Sequence, residues 1–201
     1  FKNKYIDSEK KIVEDWLDIN NIENVKEVIP DNTSYHDTKV ILNSGKSITV
    51  EVKTEEAYWY KRTGNIGLDF LSAFNFNKTS LNICKKNNNW IPIGENKKFL
   101  ENITVRKYGK LFTCDADIQL FNVTSKDKYI LLKAYDNICL KEEEFINYLK
   151  NNYKLRINNK PKYGIHEDWQ SAAYFVNPLK DKRLQKCEAS LLFEWLKFSN
   201  T

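Results

Sequence analysis

The sequence predicts a single α/β domain, and three observations carry that expectation. Residues 7–20 repeat apolar side chains at helical spacing, residues 38–53 alternate like the two strands of a hairpin, and residues 118–134 hold two further strands behind a short helix. Helices and strands are interleaved along the chain, the order expected of an α/β protein. At 201 residues, with 41% hydrophobic and 13% aromatic residues, the chain is long enough for one real core and too short for two large ones.

Each element has a local reason. Asp7 or Ser8 caps a helix running to about Asn20, whose stripe is Ile12, Val13, Trp16 and Leu17. Glu9 stands at the N-terminal end of that stripe, whereas Glu14 and Asp18 fall off it. Val25–Ile29 reads as a short strand. Thr38–Leu42 and Ser47–Lys53 flank Asn43-Ser44-Gly45-Lys46, a turn short enough for a hairpin. Ile66, Leu68 and Phe70 alternate with Gly67 and Asp69 as a third strand. Residues 75–104 are rich in Asn and Lys and weakly periodic, as an insertion decorating the core would be. A short helix is expected between Gly109 and Asp117, then strands Ile118–Val123 and Tyr129–Ala134. Helices over Glu142–Asn152 and Lys182–Phe198 make a C-terminal extension.

Composition narrows the function classes. A formal net charge of +5 suits a polyanionic partner and also suits a plain wet surface. Cys84, Cys114, Cys139 and Cys187 form no CxxC pair, so a zinc site is not expected and reduced thiols in a cytoplasmic protein are. No run is long or apolar enough for a membrane span, and the first residues lack the apolar centre of a signal peptide. The chain opens on Phe1, as it would after loss of a tag, propeptide or short leader.

The chemistry concentrates on Ser47–Thr54. Ile48, Val50 and Val52 alternate with Thr49, Glu51 and Lys53, so a carboxylate and an ammonium project from one side of a rigid strand. The hairpin would bring Asp37 close to Glu51 across adjacent strands. An acid-x-Lys triplet alone is a chance event in a chain so rich in Glu, Asp and Lys; strand, hairpin and helix order together give it weight.

Asp37…Glu51-x-Lys53, in the order α-β-β-β-α-β, resembles the PD-(D/E)xK nuclease superfamily of restriction endonucleases, junction resolvases and phage exonucleases. The likeness covers about residues 5–135. Glu51-Val-Lys-Thr followed by Thr63-Gly-Asn-Ile-Gly-Leu-Asp69, and then Gly109 to Asp117, further resembles a phage-type branch. His36 stands where the superfamily often has Pro, Asp69 stands where Glu is usual, and residues 75–104 have no counterpart. The resemblance implies a restriction-endonuclease-like core, a mixed central sheet flanked by helices, within one domain of residues 1–201. It implies Mg²⁺, with Mn²⁺ able to substitute, held by Asp37, Glu51 and the Val52 carbonyl. Lys53 would orient the attacking water and Glu9 a second metal or its water, with Asp69 and His36 peripheral. The expected partner is double-stranded or branched DNA, contacted by Lys61 and Arg62 with Tyr58 and Trp59; no membrane is implied, and a homodimer is expected of a resolvase.

Plainer readings stand beside these. Asp37 can end a turn, Glu51 and Lys53 can be a solvated strand face, and Glu9 can complement the helix dipole. Asp69 and His36 can be surface residues, and the aromatic residues at 58–60 can pack their own loop. The functional expectation is a Mg²⁺-dependent DNA endonuclease of restriction, homing or junction-resolving type; its alternative is a catalytically inactive nucleic-acid-binding module on the same fold.

Overall fold

A computed structural model describes residues 2–31, 36–56, 64–125, 128–158, 170–190 and 192–193. In chain order the elements are α1 (Lys2–Ile19), β1 (Val25–Pro30), β2 (Thr38–Leu42), β3 (Ser47–Glu56), β4 (Ile66–Phe76) and α2 (Lys78–Lys86). There follow β5 (Trp90–Ile91), α3 (Asn96–Leu100), β6 (Ile103–Tyr108), α4 (Lys110–Thr113), β7 (Ile118–Ser125) and β8 (Lys128–Asp136). The last are α5 (Asn137–Lys141), α6 (Glu143–Asn152), β9 (Leu155–Asn158), β10 (Gln170–Val176) and α7 (Lys182–Gln185). The chain divides into two compact units. The first comprises Phe1–Gly64, Cys114–Leu140 and Pro178–Thr201; the second comprises Asn65–Thr113 and Lys141–Asn177.

The first unit is built on a five-stranded mixed sheet of order β1-β2-β3-β7-β8. β1, β2 and β3 pair antiparallel, β3 and β7 run parallel from Val50↔Ile118 to Glu56↔Thr124, and β8 returns antiparallel to β7. The β2–β3 turn closes because Gly45 takes φ +82°, a conformation that costs glycine little, while Leu42 N–H donates to Lys46 C=O at 2.8 Å. Parallel strands need a long crossover, and here the chain between β3 and β7 supplies Asn65–Thr113 of the second unit. Ile12, Val13, Trp16 and Leu17 of α1 join Val40, Leu42, Ile48, Val50, Ile118 and Leu120 in one buried cluster, which Ala189 and Phe193 complete. Each fully buried aliphatic or aromatic side chain there contributes about 1.5–3 kcal/mol. Asn21 ends the helix at φ +52°, the left-handed residue that often follows a helix C-terminus.

The second unit has its own five-stranded sheet, β5-β9-β10-β4-β6, antiparallel throughout. Asn77 and Ser80 form a capping box that starts α2. Phe70 packs edge-on against Phe112 and Tyr174, at centroid distances of 5.2 and 5.1 Å. Gly109 lies against the β4 backbone, donating its N–H to Phe70 C=O at 3.0 Å.

Several expectations change here. The third strand is longer than its alternation suggested, ending at Phe76, and it belongs to the second sheet, not to the sheet of the hairpin. Residues 75–104, read as decoration, contain α2, β5, α3 and part of β6, ordinary parts of the second unit. Their periodicity was weak because elements this short complete too few turns to show one. Helix α1 runs straight through Asp7 and Ser8, so neither residue caps it. The helix expected over Lys182–Phe198 is interrupted: Lys182–Gln185 forms one turn, capped by Asp181 Oδ1 accepting from Leu184 N–H at 2.7 Å, residues 186–189 leave the helix, and Ser190, Leu192 and Phe193 are helical again. Residues 194–198 lie outside the described residues.

The cysteines also depart from expectation. Cys139 and Cys187 form a disulfide, whereas Cys84 and Cys114 are free and buried. A separation of 48 residues gives no sequence signal, yet Asp136 N–H donates to Cys187 C=O at 2.8 Å, which lays the two segments side by side. Among the described residues no helix is long and apolar enough to cross a membrane.

Candidate active site

The ladder between β2 and β3 ends at Asp37, and that ending makes the site. Asp37 N–H donates to Val50 C=O at 3.1 Å, and Asp37 C=O accepts from Asp31 N–H at 2.9 Å. Val52 N–H, which a continuing ladder would pair with backbone, is instead accepted by Asp37 Oδ2 at 2.7 Å. In an antiparallel pair a residue's N–H and C=O point to the same edge. The Val52 carbonyl therefore points to the edge that β2 has just left, on the side where Asp37 sits.

Glu51 is buried, with 6% of its surface exposed, and in register with Gln119 of β7. Its Oε1 lies 3.3 Å from Lys53 Nζ, so the alternation brings carboxylate and ammonium together on one side of β3, as expected. Glu9, half-buried near the start of the α1 stripe, completes the cluster electrostatically. Burial holds its carboxyl above the ordinary carboxylate range, and repulsion from Asp37 and then from Glu51 pushes the same way. A residue of α1, one at the mouth of β2 and one on β3 thus share a single negative potential.

The loop that feeds β7 fixes the other end of β3. Asp117 Oδ2 accepts from both the N–H and the hydroxyl of Thr49 at 2.8 Å, and Thr49 Oγ1 accepts from Asp117 N–H at 2.9 Å. Buried Asn137 braces the loop from behind, donating to Cys114 C=O and Ala116 C=O and accepting from Gln119 at 2.7 Å. Asp117 is exposed, so water can take up the Thr49 N–H that its loss would release. Asp117→Ala is expected to lower stability by about 0.5–1.5 kcal/mol, read as a shift of the urea midpoint at unchanged m-value.

The other anticipated residues separate. His36 Nε2 pairs with Asp31 Oδ2 at 2.6 Å, so its ring is committed to the loop beside the site. Asp69 is exposed on β4, an element of the second unit. Tyr58, Trp59, Lys61 and Arg62 lie outside the described residues. Gln119 and Asn137 were not anticipated; a lone Gln within the apolar run Ile118–Val123 was the available signal.

The donor set suits a hard divalent cation. Two carboxylates and one carbonyl are all oxygen, and Mg²⁺ takes only one or two carboxylates while keeping its own waters. The repulsion that raises Glu9 is what a nearby cation would relieve. Among the described residues no three His, Cys, Asp or Glu side chains close around an ion by themselves. No protein-family model, curated protein or solved structure matches this chain.

Proposed function

We propose that the first unit is a divalent-metal-dependent deoxyribonuclease domain with a restriction-endonuclease-like core. The observation that carries the reading is the convergence of Asp37, Glu51, Lys53 and Glu9 where β2 parts from β3. The helix, three antiparallel strands and parallel fourth strand of this unit support it, as does the likeness of Asp37…Glu51-x-Lys53 to PD-(D/E)xK nucleases.

Asp37, Glu51 and the Val52 carbonyl would hold Mg²⁺. When bound, the ion supplies charge neutralisation at the scissile phosphate and a more acidic bound water. Lys53 has three N–H donors and no acceptor, so it orients a water or steadies negative charge gathering on the phosphate. Its ion pair with Glu51 keeps the ammonium on the site side of the strand. Glu9, more basic than an ordinary carboxylate, suits accepting a proton or binding a second cation. Asp37, tied at its N–H, C=O and Oδ2, sets the site's geometry.

A Mg²⁺-supplemented assay on plasmid, linear and branched DNA tests the reading. Wild type is expected to cleave at least one of them, and Lys53→Ala to lose about two to four orders of magnitude. Salt-dependent retention on DNA without strand breaks would point instead to an inactive binding module, and equal cleavage by Lys53→Ala would refute the mechanism.

The raised Glu9 carboxyl also has a pH signature. Its folded-state pKa lies above the ordinary 4.5, so near and just above that pH the folded state binds the proton more tightly than the unfolded state does. Glu9's contribution is fully present below 4.5 and is lost as pH rises through the folded value. Glu9→Gln should match wild type at low pH and become progressively the more stable of the two as pH rises, in metal-free urea titrations.

A further inference from the structure

The second unit carries a concave surface that the carboxylate cluster does not use. Two adjoining cavities of about 550 and about 450 Å³ share Leu100 and Lys150 in their walls. The first is apolar, with Leu71, Leu100, Val105 and Ile146 on its walls beside an aromatic side. Phe70, Phe112 and Tyr108 line it, and Tyr108, the last residue of β6, is 53% exposed with its ring edge-on to Phe112 at 5.4 Å. Lys150 Nζ stands 6.0 Å from the centre of the Phe70 ring, which places a cation at the aromatic wall.

The second cavity is lined by amides. Asn147 and Asn151 of α6 are exposed there, whereas Asn96 is buried, 2% exposed. Asn96 Nδ2 donates to Lys150 C=O and Tyr153 C=O at 2.8 and 3.0 Å, and its Oδ1 has no hydrogen-bond partner among the described residues. Lys97 lines the same cavity, Lys98 follows it on α3, and Arg106 and Lys107 directly precede Tyr108; all four are exposed. The one acid in the lining, Glu101, is offset by Lys97 at 4.0 Å.

Flat aromatic faces, a cationic rim and side-chain amides are the three chemistries that an unstacked nucleotide uses: stacking, phosphate attraction and hydrogen bonding along the base edge. An apolar peptide has no use for the cations, and a free phosphate has none for the rings. Either cavity is within the volume range that takes a ligand of nucleotide size. We propose that the second unit binds single-stranded nucleic acid, with one base against Tyr108 and Phe112, its phosphate at Lys150, and the next base beside Asn147 and Asn151.

The site does not depend on the nuclease reading, and its test runs without divalent metal. The full chain would be titrated in EDTA against dye-labelled oligo(dT), oligo(U) and a blunt DNA duplex, with binding read by fluorescence anisotropy. Tighter binding of a single strand than of the duplex is expected, and the two single strands distinguish DNA from RNA as the source. Tyr108→Ala should weaken single-strand binding by about tenfold, with Tyr108→Phe restoring it. Lys150→Gln should reduce the slope of log K against log salt by about 0.7. Equal affinity for duplex and single strand, no binding of either single strand, or Tyr108→Ala binding like wild type would each overturn the proposal.

Discussion

Asp37→Asn and Glu51→Gln are each expected to slow Mg²⁺-dependent DNA cleavage by about a thousandfold or more while leaving the fold in place. A metal's stabilisation of transition-state charge is worth several kcal/mol, and each 1.4 kcal/mol is about a factor of ten in rate. Asn at 37 keeps an oxygen that can accept the Val52 N–H, now held by Asp37 Oδ2 at 2.7 Å, so the strand junction survives the loss of charge. Gln at 51 preserves the volume of a side chain that is 6% exposed. It leaves Lys53 without the carboxylate now 3.3 Å away. Single-turnover cleavage gives the rate, and calorimetric titration of Mg²⁺ or Mn²⁺ shows whether the ion is lost with it. Asp37→Asn cleaving like wild type would remove the metal ligand assignment.

Gly109→Ala carries the largest expected effect on stability. A Cβ at that position would stand 2.1 Å from the Asp69 carbonyl oxygen, 2.5 Å from its carbonyl carbon and 2.9 Å from that of Phe70. All three are backbone atoms of β4, so no side chain can swing aside. The same glycine donates to Phe70 C=O, so moving it away breaks a bond that holds the chain before α4 to the sheet. Overpacking of this kind costs about 3 kcal/mol or more. A fall in the urea midpoint would be accompanied by loss of the near-ultraviolet signal of Phe70, Phe112 and Tyr108, which gather around that turn. Gly45→Ala meets no atom within 4 Å and is strained only by its positive φ, so it should cost far less.

The placement of Asp37, Glu51 and Lys53 was more legible than the fold because its signals are local. Alternation from Ile48 to Lys53 fixes which side chains share a face, and a four-residue turn dictates that Asp37 returns beside Glu51. The helix stripe at Ile12, Val13, Trp16 and Leu17 was likewise readable from spacing alone. What escaped depends on distant partners. Nothing around Ile66–Phe70 says which sheet that strand joins; its neighbours β6 and β10 lie far along the chain. The brace through Gln119 and Asn137, and the Thr49–Asp117 clamp across 68 residues, are equally invisible to a pattern reading. The break in helix over 186–189 was missed because the apolar spacing at Leu184, Leu191 and Leu192 runs across it.

The bond between Cys139 and Cys187 brackets the chain's second excursion, Lys141–Asn177, out of the first unit and back. A protease nick anywhere in that excursion would leave two pieces still tethered, migrating as one band until a reductant is added. Closing a loop of that length restricts the unfolded chain by about 4 kcal/mol. A reducing milieu would thus loosen the return of the chain to the first unit, and could do so without touching a single residue of the carboxylate cluster.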